Sequence, residues 1–270
     1  MRTITALWLR NIRGFVRDRV KLITSLVIPF FFLYVFNSIF KTDQTDFFLA
    51  GIIVATVFQT SLNIATSTID DTVSGFMKEI LVSPTSRFQV ALGQILSAAT
   101  IATTQGILIL VIGFFTGLRF EQWQTIFYVL LALMLVGLVF SGLGLFLASM
   151  VKSSSTFQVV QQAVVLPFTF LSGAYIPIDF LPKVLKFVSY FNPMTYTTAF
   201  FRTIMLEKGD LTQTGWLKLG LAFDFNGFVV TPWISGIVMA IFGGLFLFLA
   251  TNSFVHADFN KISRKPAVGK

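Results

Sequence analysis

The chain has no cysteine and a single histidine, His256. The first absence removes any disulfide framework, thiolate metal site or cysteine nucleophile. The second leaves one imidazole at the end of the last apolar run, where a structural role suits it better than ligation. Charge is scarce as well: 12% of residues are charged, against about 25% in soluble domains. No G-x-x-x-x-G-K-[ST] pattern occurs, so the chain carries no Walker A phosphate cradle. The adjacent carboxylates Asp70 and Asp71 would point about 100° apart on a helix, which suits neither an acid/base pair nor a metal clamp. Neither an enzyme nor a metal site is expected.

What fills the chain instead is apolar. Of its 270 residues 55% are hydrophobic, 33 of them Phe, and the mean hydropathy is +0.80. The apolar residues fall in blocks long enough to cross a bilayer, which takes about 20 residues each. Six spans are expected, at roughly 22–40, 46–68, 89–115, 125–150, 156–177 and 228–254. The expected fold is therefore an all-α polytopic membrane protein, with 1–270 as one transmembrane domain. The first run outlasts the h-region of a signal peptide, about 7–15 residues, and no A-x-A-like site follows, so it reads as a retained span.

Basic residues set the expected orientation. Arg2, Arg10, Arg13, Arg17, Arg19 and Lys21 precede the first span, and Lys261, Arg264, Lys265 and Lys270 follow the last. The short connections on the opposite side hold one each, Lys41 and Arg119, while the outer segment 178–227 carries five, at a length where the rule weakens. Both termini are thus expected in the cytoplasm. The net charge of +8 then belongs to topology and anionic lipid rather than to nucleic acid.

The central parts of the six runs hold no Asp, Glu, Lys, Arg or His. Proton- and sodium-coupled carriers usually need such groups, so an ion-coupled secondary transporter is disfavoured. The polar groups there are neutral. Thr56, Gln59, Thr60, Asn63 and Ser67 form one helical stripe in the second run, and Gln158, Gln161 and Gln162 another in the fifth. Such stripes either line a wettable path or hydrogen-bond neighbouring helices. Gly142, Gly144, Gly243 and Gly244 suit close helix packing.

Three segments lie outside the runs. Residues 3–17 predict an amphipathic helix, with Ile4, Leu7, Trp8, Ile12 and Phe15 opposite Arg10, Arg13 and Arg17. It is expected in the cytoplasmic interface, apolar face in the acyl boundary. Residues 178–227, interrupted by Pro182 and Pro193, predict short helices that re-enter the outer leaflet. The third segment, 69–88, is cytoplasmic in this topology. Within it Phe76, Met77, Ile80 and Leu81 share one face of a two-turn helix, with Lys78 and Glu79 largely off it. Gly75 precedes the helix and Pro84, after Ser83, stops it. So short a helix needs a docking surface, and either the membrane or a groove on a partner protein would serve.

Two motifs carry a resemblance. "SGFMKEILVSPTSRFQVALGQIL" (74–96) resembles the cytoplasmic G-x-x-x-x-L-x-x-[ST]-P-x-x-R segment of type-2 ABC transporter permeases, the drug and polysaccharide exporters. "LPFTFLSGAYIPIDFLPKVLKFVSYFNPMTY" (166–196) resembles that family's SG-x-x-x-P…LP…NP-x-[TS]-Y signature. The basic N-terminus and six spans match its layout. The chain departs from it at Val73-Ser74, where many members have Arg-Glu.

The resemblance implies that Gly75, Phe76, Met77, Lys78, Glu79, Ile80, Leu81, Ser83 and Pro84 form a coupling helix in a cleft of a separate ATPase subunit. That subunit, in two copies, would bind ATP and Mg, and this chain would bind no cofactor. A second permease subunit is implied, with the membrane lipids as the remaining partner. Thr56, Gln59, Thr60, Asn63, Gln158 and Gln162 become candidates for the translocation path, and Phe168, Phe170 and Tyr175 for an upper constriction. The chain would sit in a bacterial or archaeal cell membrane. The uncharged, Phe-rich runs favour export of a hydrophobic or amphiphilic molecule such as a drug, antibiotic or lipid. A polysaccharide or lipid-linked glycan is the alternative.

Overall fold

The computed structural model describes residues 2–40, 45–82, 85–225 and 227–257. Its long helices are α1 (Arg2–Arg17), α2 (Arg19–Phe40), α3 (Thr45–Val73), α5 (Arg87–Phe115), α6 (Gln124–Met150), α7 (Ser154–Leu171) and α11 (Pro232–His256). The short α4 (Phe76–Val82) joins α3 to α5. Between α7 and α11 come a 3-10 turn, α8 (Lys183–Ser189), α9 (Pro193–Met205), α10 (Gln213–Lys218) and an antiparallel pair, β1 (Phe223–Phe225) with β2 (Phe228–Val230). That hairpin is the one departure from an all-α fold among the described residues.

Polar side chains start several helices by accepting first-turn N–H groups. Ser86 caps α5, Ser153 caps α7, and Asn192 and Thr231 cap α9 and α11, each followed by proline. The helices then pack around α3, whose Leu49, Ile53, Val57, Phe58 and Leu62 are fully buried. Small residues allow the close approach: Gly144 lies against the backbone of Ser61 and Leu62, Gly142 against that of Leu247, and Gly243 against Val139. Gly244, expected to serve packing too, faces open space.

Among the described residues four helices, α3, α5, α6 and α11, are long and apolar enough to cross a membrane. A fifth span is reached if α1 and α2, bent by 69° from each other, are counted together. Helix α7 has 18 residues, about 27 Å of helix, and its three glutamines keep it from that set. Three boundaries differ from expectation. Helix α3 continues past 68 to Val73, carrying Asp70 and Asp71 on its last turns. Helix α7 stops at Leu171 rather than 177, where the chain turns through Gly173 at φ 79°. The last helix begins at Pro232 because 228–230 pair as a strand.

One end of the bundle gathers α1, α4, the α6–α7 link and the end of α11. There Arg87 on α5 donates to Val255 O (2.7 Å) and Ala257 O (3.0 Å). Helix α1 lies along α5, not free on its apolar face: Leu7 is buried against Gly93, and Trp8 Nε1 donates to Thr100 Oγ1 (3.0 Å). The expected burial of that face in lipid is corrected accordingly, since the helix finds a protein partner first.

The far end is closed by two side chains of or just after α9. Arg202, 2% exposed, donates to Phe47 O (3.2 Å), Gly173 O (3.0 Å), Ala174 O (3.4 Å) and Gly220 O (3.5 Å). Its guanidinium also lies 3.5 Å from the centre of the Phe47 ring. Glu207 accepts from the N–H groups of Glu121 (2.7 Å) and Gln122 (3.0 Å) and from Thr125 Oγ1. It thereby fixes the entry into α6, whose own N-cap residue, Trp123, makes no side-chain cap. Burial acts to raise the Glu207 pKa, but those three hydrogen bonds and the Lys208 charge outweigh it and hold the carboxyl below its usual range.

Two expectations follow. A Cβ on Gly51 would stand 2.0 Å from Ala174 O, so Gly51→Ala must push the 173–175 turn off α3. Thermal unfolding in detergent should show a loss of about 1–3 kcal/mol, whereas Gly14→Ala, which meets nothing within 4 Å, should be neutral or slightly stabilising. The Glu207 contribution is fully present above the unfolded carboxyl pKa of about 4.3 and is lost as pH falls through the lower folded value. Glu207→Gln should therefore lower the midpoint at neutral pH and lessen its further fall on acidification; an unchanged acid limb contradicts the clamp.

Candidate functional site

A cavity of about 550 Å³ lies between α2, α3 and α7. The two polar stripes expected from the sequence meet in it: Thr56, Gln59, Thr60 and Asn63 from α3, and Gln158, Gln161 and Gln162 from α7. Helix α2 contributes Thr24, Ser25, Ile28 and Pro29, and α5 contributes Gln105. Asp70 and Ser154 line the same cavity, and among the described residues Asp70 is the only charged one that does. Ser67, in the stripe by spacing, bonds back to Ile64 O instead.

The stripes divide their work. Thr60 is buried and donates to Gln105 Oε1, whose Nε2 donates to Ser25 Oγ (2.5 Å), joining α3, α5 and α2. Gln161 Nε2 donates to Asn63 Oδ1 (2.5 Å), joining α7 to α3. Thr56 is buried and bonds to Ile52 O. Gln59, Gln158 and Gln162 are exposed and make no side-chain hydrogen bond among the described residues. The carboxamides free to meet a solute are therefore these three. Sequence reasoning missed Gln105, Ser25 and Thr24; the carboxamide of Gln105, deep in the apolar run of α5, was the available signal.

The three aromatic candidates lie outside the cavity wall, on its far-end side. The Phe168 ring stacks on Phe58 at 6.1 Å between centroids. Tyr175 stacks on Phe32 (5.2 Å) and Phe36 (5.7 Å), and Phe170 meets Tyr175 edge-on (5.7 Å). Phe32 and Phe36, one and two turns beyond Ile28 on α2, complete an aromatic cluster that the sequence did not single out.

At the near end, Gly75 takes φ 86° and turns the chain from α3 into α4. Part of the apolar face of α4, for which the spacing left a membrane surface or a partner groove open, is covered within the chain itself. Met77 is fully buried in a cluster with Leu7, Val90, Ala91, Ala250 and Phe254, and Ile80 packs on the same cluster. Phe76 is half-buried with the Arg10 guanidinium 4.7 Å from its ring centre. The physical reason is plain: α1, α5 and α11 converge beneath α4 and bury its greasy face first. Glu79 and Val82, the latter 88% exposed, form the open face. Lys78 and Leu81 fall within α4, and Ser83 and Pro84 lie outside the described residues.

The two aspartates, given no role by the sequence, serve different helices. Asp71 takes two bonds from Arg10 (3.2 and 2.5 Å) and one from Gln94 (3.4 Å). Asn11 of α1 donates to Gln94 Oε1 (2.7 Å) and Ser97 Oγ (2.8 Å). Asp70, about 100° round the helix, accepts from Ser154 Oγ (2.5 Å) at the start of α7. No group of three or more His, Asp or Glu able to hold a metal occurs among the described residues.

Comparison with known proteins agrees with this geometry. The profile of a family described as "ABC-2 type transporter" matches residues 2–206. The chain is 26% identical over 237 residues to the transport permease ycf38 of Cyanophora paradoxa, covering 84% of this chain and 80% of the relative. It is 24% identical over 219 residues to the inner membrane transport permease YadH of Escherichia coli K12, covering 77% and 84%. Nodulation protein J of Rhizobium leguminosarum bv. trifolii is 35% identical over 117 residues, 43% of this chain and 44% of that one.

Proposed function

The chain belongs to the ABC-2 type transporter family as a multi-pass transport permease, and from that premise we propose that it is the membrane subunit of an ATP-driven exporter of amphiphilic molecules. The cavity between α2, α3 and α7 carries this reading. Its three free carboxamides offer hydrogen bonds to a neutral polar head, while Ile28, Pro29 and Ile64 offer apolar contact. A glycan is the second reading, favoured by the same carboxamides and by exposed aromatic rings at Tyr34 and Phe170 suited to stacking on sugars.

In this proposal six helices span: α2, α3, α5, α6, α7 and α11. The basic α1 face puts both termini in the cytoplasm of a bacterial or archaeal cell, as the name of the Escherichia coli relative suggests. Two copies of a partner ATPase hold ATP and Mg and receive α4 through Glu79, Val82 and the exposed edge of Phe76. Closure of the ATPase pair pushes α4, and Met77, locked among α1, α5 and α11, passes the push to the bundle. A second copy of the permease covers the exposed apolar faces of α2 (Val27, Phe31, Tyr34) and the outer half of α7 (Leu166, Phe170). Phe170 and Tyr175 would then stand at the outer end of the path.

Val82→Asp combined with Glu79→Lys should leave a folded membrane protein that no longer co-purifies with its ATPase. Met77→Asp should instead fail to fold, because it places a charge in a fully buried site. Normal ATPase binding by the first variant would refute the docking face. For the cavity, Gln59→Leu should raise the substrate concentration that half-stimulates ATPase activity about fivefold, the worth of one neutral hydrogen bond. A change in melting temperature alone would reassign Gln59 to packing.

A further inference from the structure

Helices α3 and α7 run antiparallel and are tied at two points seven residues apart: Asp70 meets Ser154, and Asn63 meets Gln161, each at 2.5 Å. Between these ties Phe157, fully buried, packs with Ala65, Ile69 and Ala148. The far end of α7 is held by α9, where Asn192 Nδ2 donates to Phe168 O (2.7 Å), while its outward face, with Val159, Leu166 and Phe170, is exposed.

Asp70 also lies just before the Gly75 turn into α4, beside Asp71, which Arg10 and Gln94 tie to α1 and α5. Its backbone carbonyl accepts from Ser74 N–H (2.9 Å), closing α3 next to the Gly75 turn. Its side chain holds the first residue of α7, a hydroxyl-to-carboxylate bond of the strong, charge-assisted kind. A displacement of α4 thus reaches α7 through one residue, without crossing the core. From this we propose that Asp70, with Ser154, is a positioning pair: it makes α7, and the cavity wall bearing Gln158 and Gln162, move with α4. The inference rests on the ATP-driven reading above and adds to it the route by which one wall of the cavity is moved.

Because the chain has no cysteine, single labels can be placed on two exposed sites outside the docking face, Val73 at the α3–α4 junction and Val159 on α7. In the complex with its ATPase, spin labels at Val73→Cys and Val159→Cys should each change their copy-to-copy distance when ATP is bound. Asp70→Ala or Ser154→Ala should abolish the shift at 159 and keep the shift at 73. Asp70→Asn, which still accepts from Ser154, should restore most of it, and the double alanine variant should be no worse than either single. A shift at 159 that survives in Asp70→Ala and Ser154→Ala, or losses that add in the double variant, would overturn the assignment. Absence of any shift at both labels in the otherwise unaltered chain would instead sink the ATP-driven reading, and this inference with it.

Discussion

An unpaired backbone carbonyl is costly wherever water is excluded, and the far end of this bundle holds several in turns outside its helices. The Gly173–Ala174 turn and the stretch around Gly220 converge on Arg202, which also reaches Phe47 O in the first turn of α3 and whose planar guanidinium supplies donors in several directions at once. A lysine would present one point charge in place of that fork. The burial of so polar a group is tolerable because its partners are carbonyl dipoles and the face of Phe47. With the turn fixed, Ala174 can sit on Gly51 and α7 can end where it does.

The near end is organised by side chains of a different kind. Here the bonds run between helices that are each complete in themselves, so they set relative position rather than satisfy backbone. Asp71 orients α1 through Arg10, Gln94 and Asn11 join that helix to α5, and Asp70 orients α7. Two neighbours in sequence serve two neighbours in space because a helix turns 100° per residue. The carboxylates that looked useless as a chemical pair are useful because they diverge.

The apolar runs, the polar stripes and the amphipathic N-terminal helix were legible in the sequence, since each is a periodic pattern within one segment. What covers a pattern was not. The face of Met77 and Ile80 was evident, but burial by α1, α5 and α11 depends on where three other helices end. Likewise Thr60 and Gln59 look equivalent as neutral polar residues, yet one faces Gln105 on α5 and the other faces the cavity. The early stop of α7 and the hairpin before α11 escaped for a related reason: both depend on partners far along the chain, Arg202 for the first and the Tyr190–Phe223–Phe225 cluster for the second.

The two clasps at the far end also impose an order in time. Arg202 and Glu207 lie on or just after α9, while the groups they hold, Phe47 O on α3 and the first turn of α6, come far earlier; Arg202 and Phe47 are 155 residues apart. During synthesis these contacts can therefore form only after α9 has been made. Completion of the bundle is a late event of biogenesis, and the stretch from α9 onward acts as its fastener rather than as a trailing appendage.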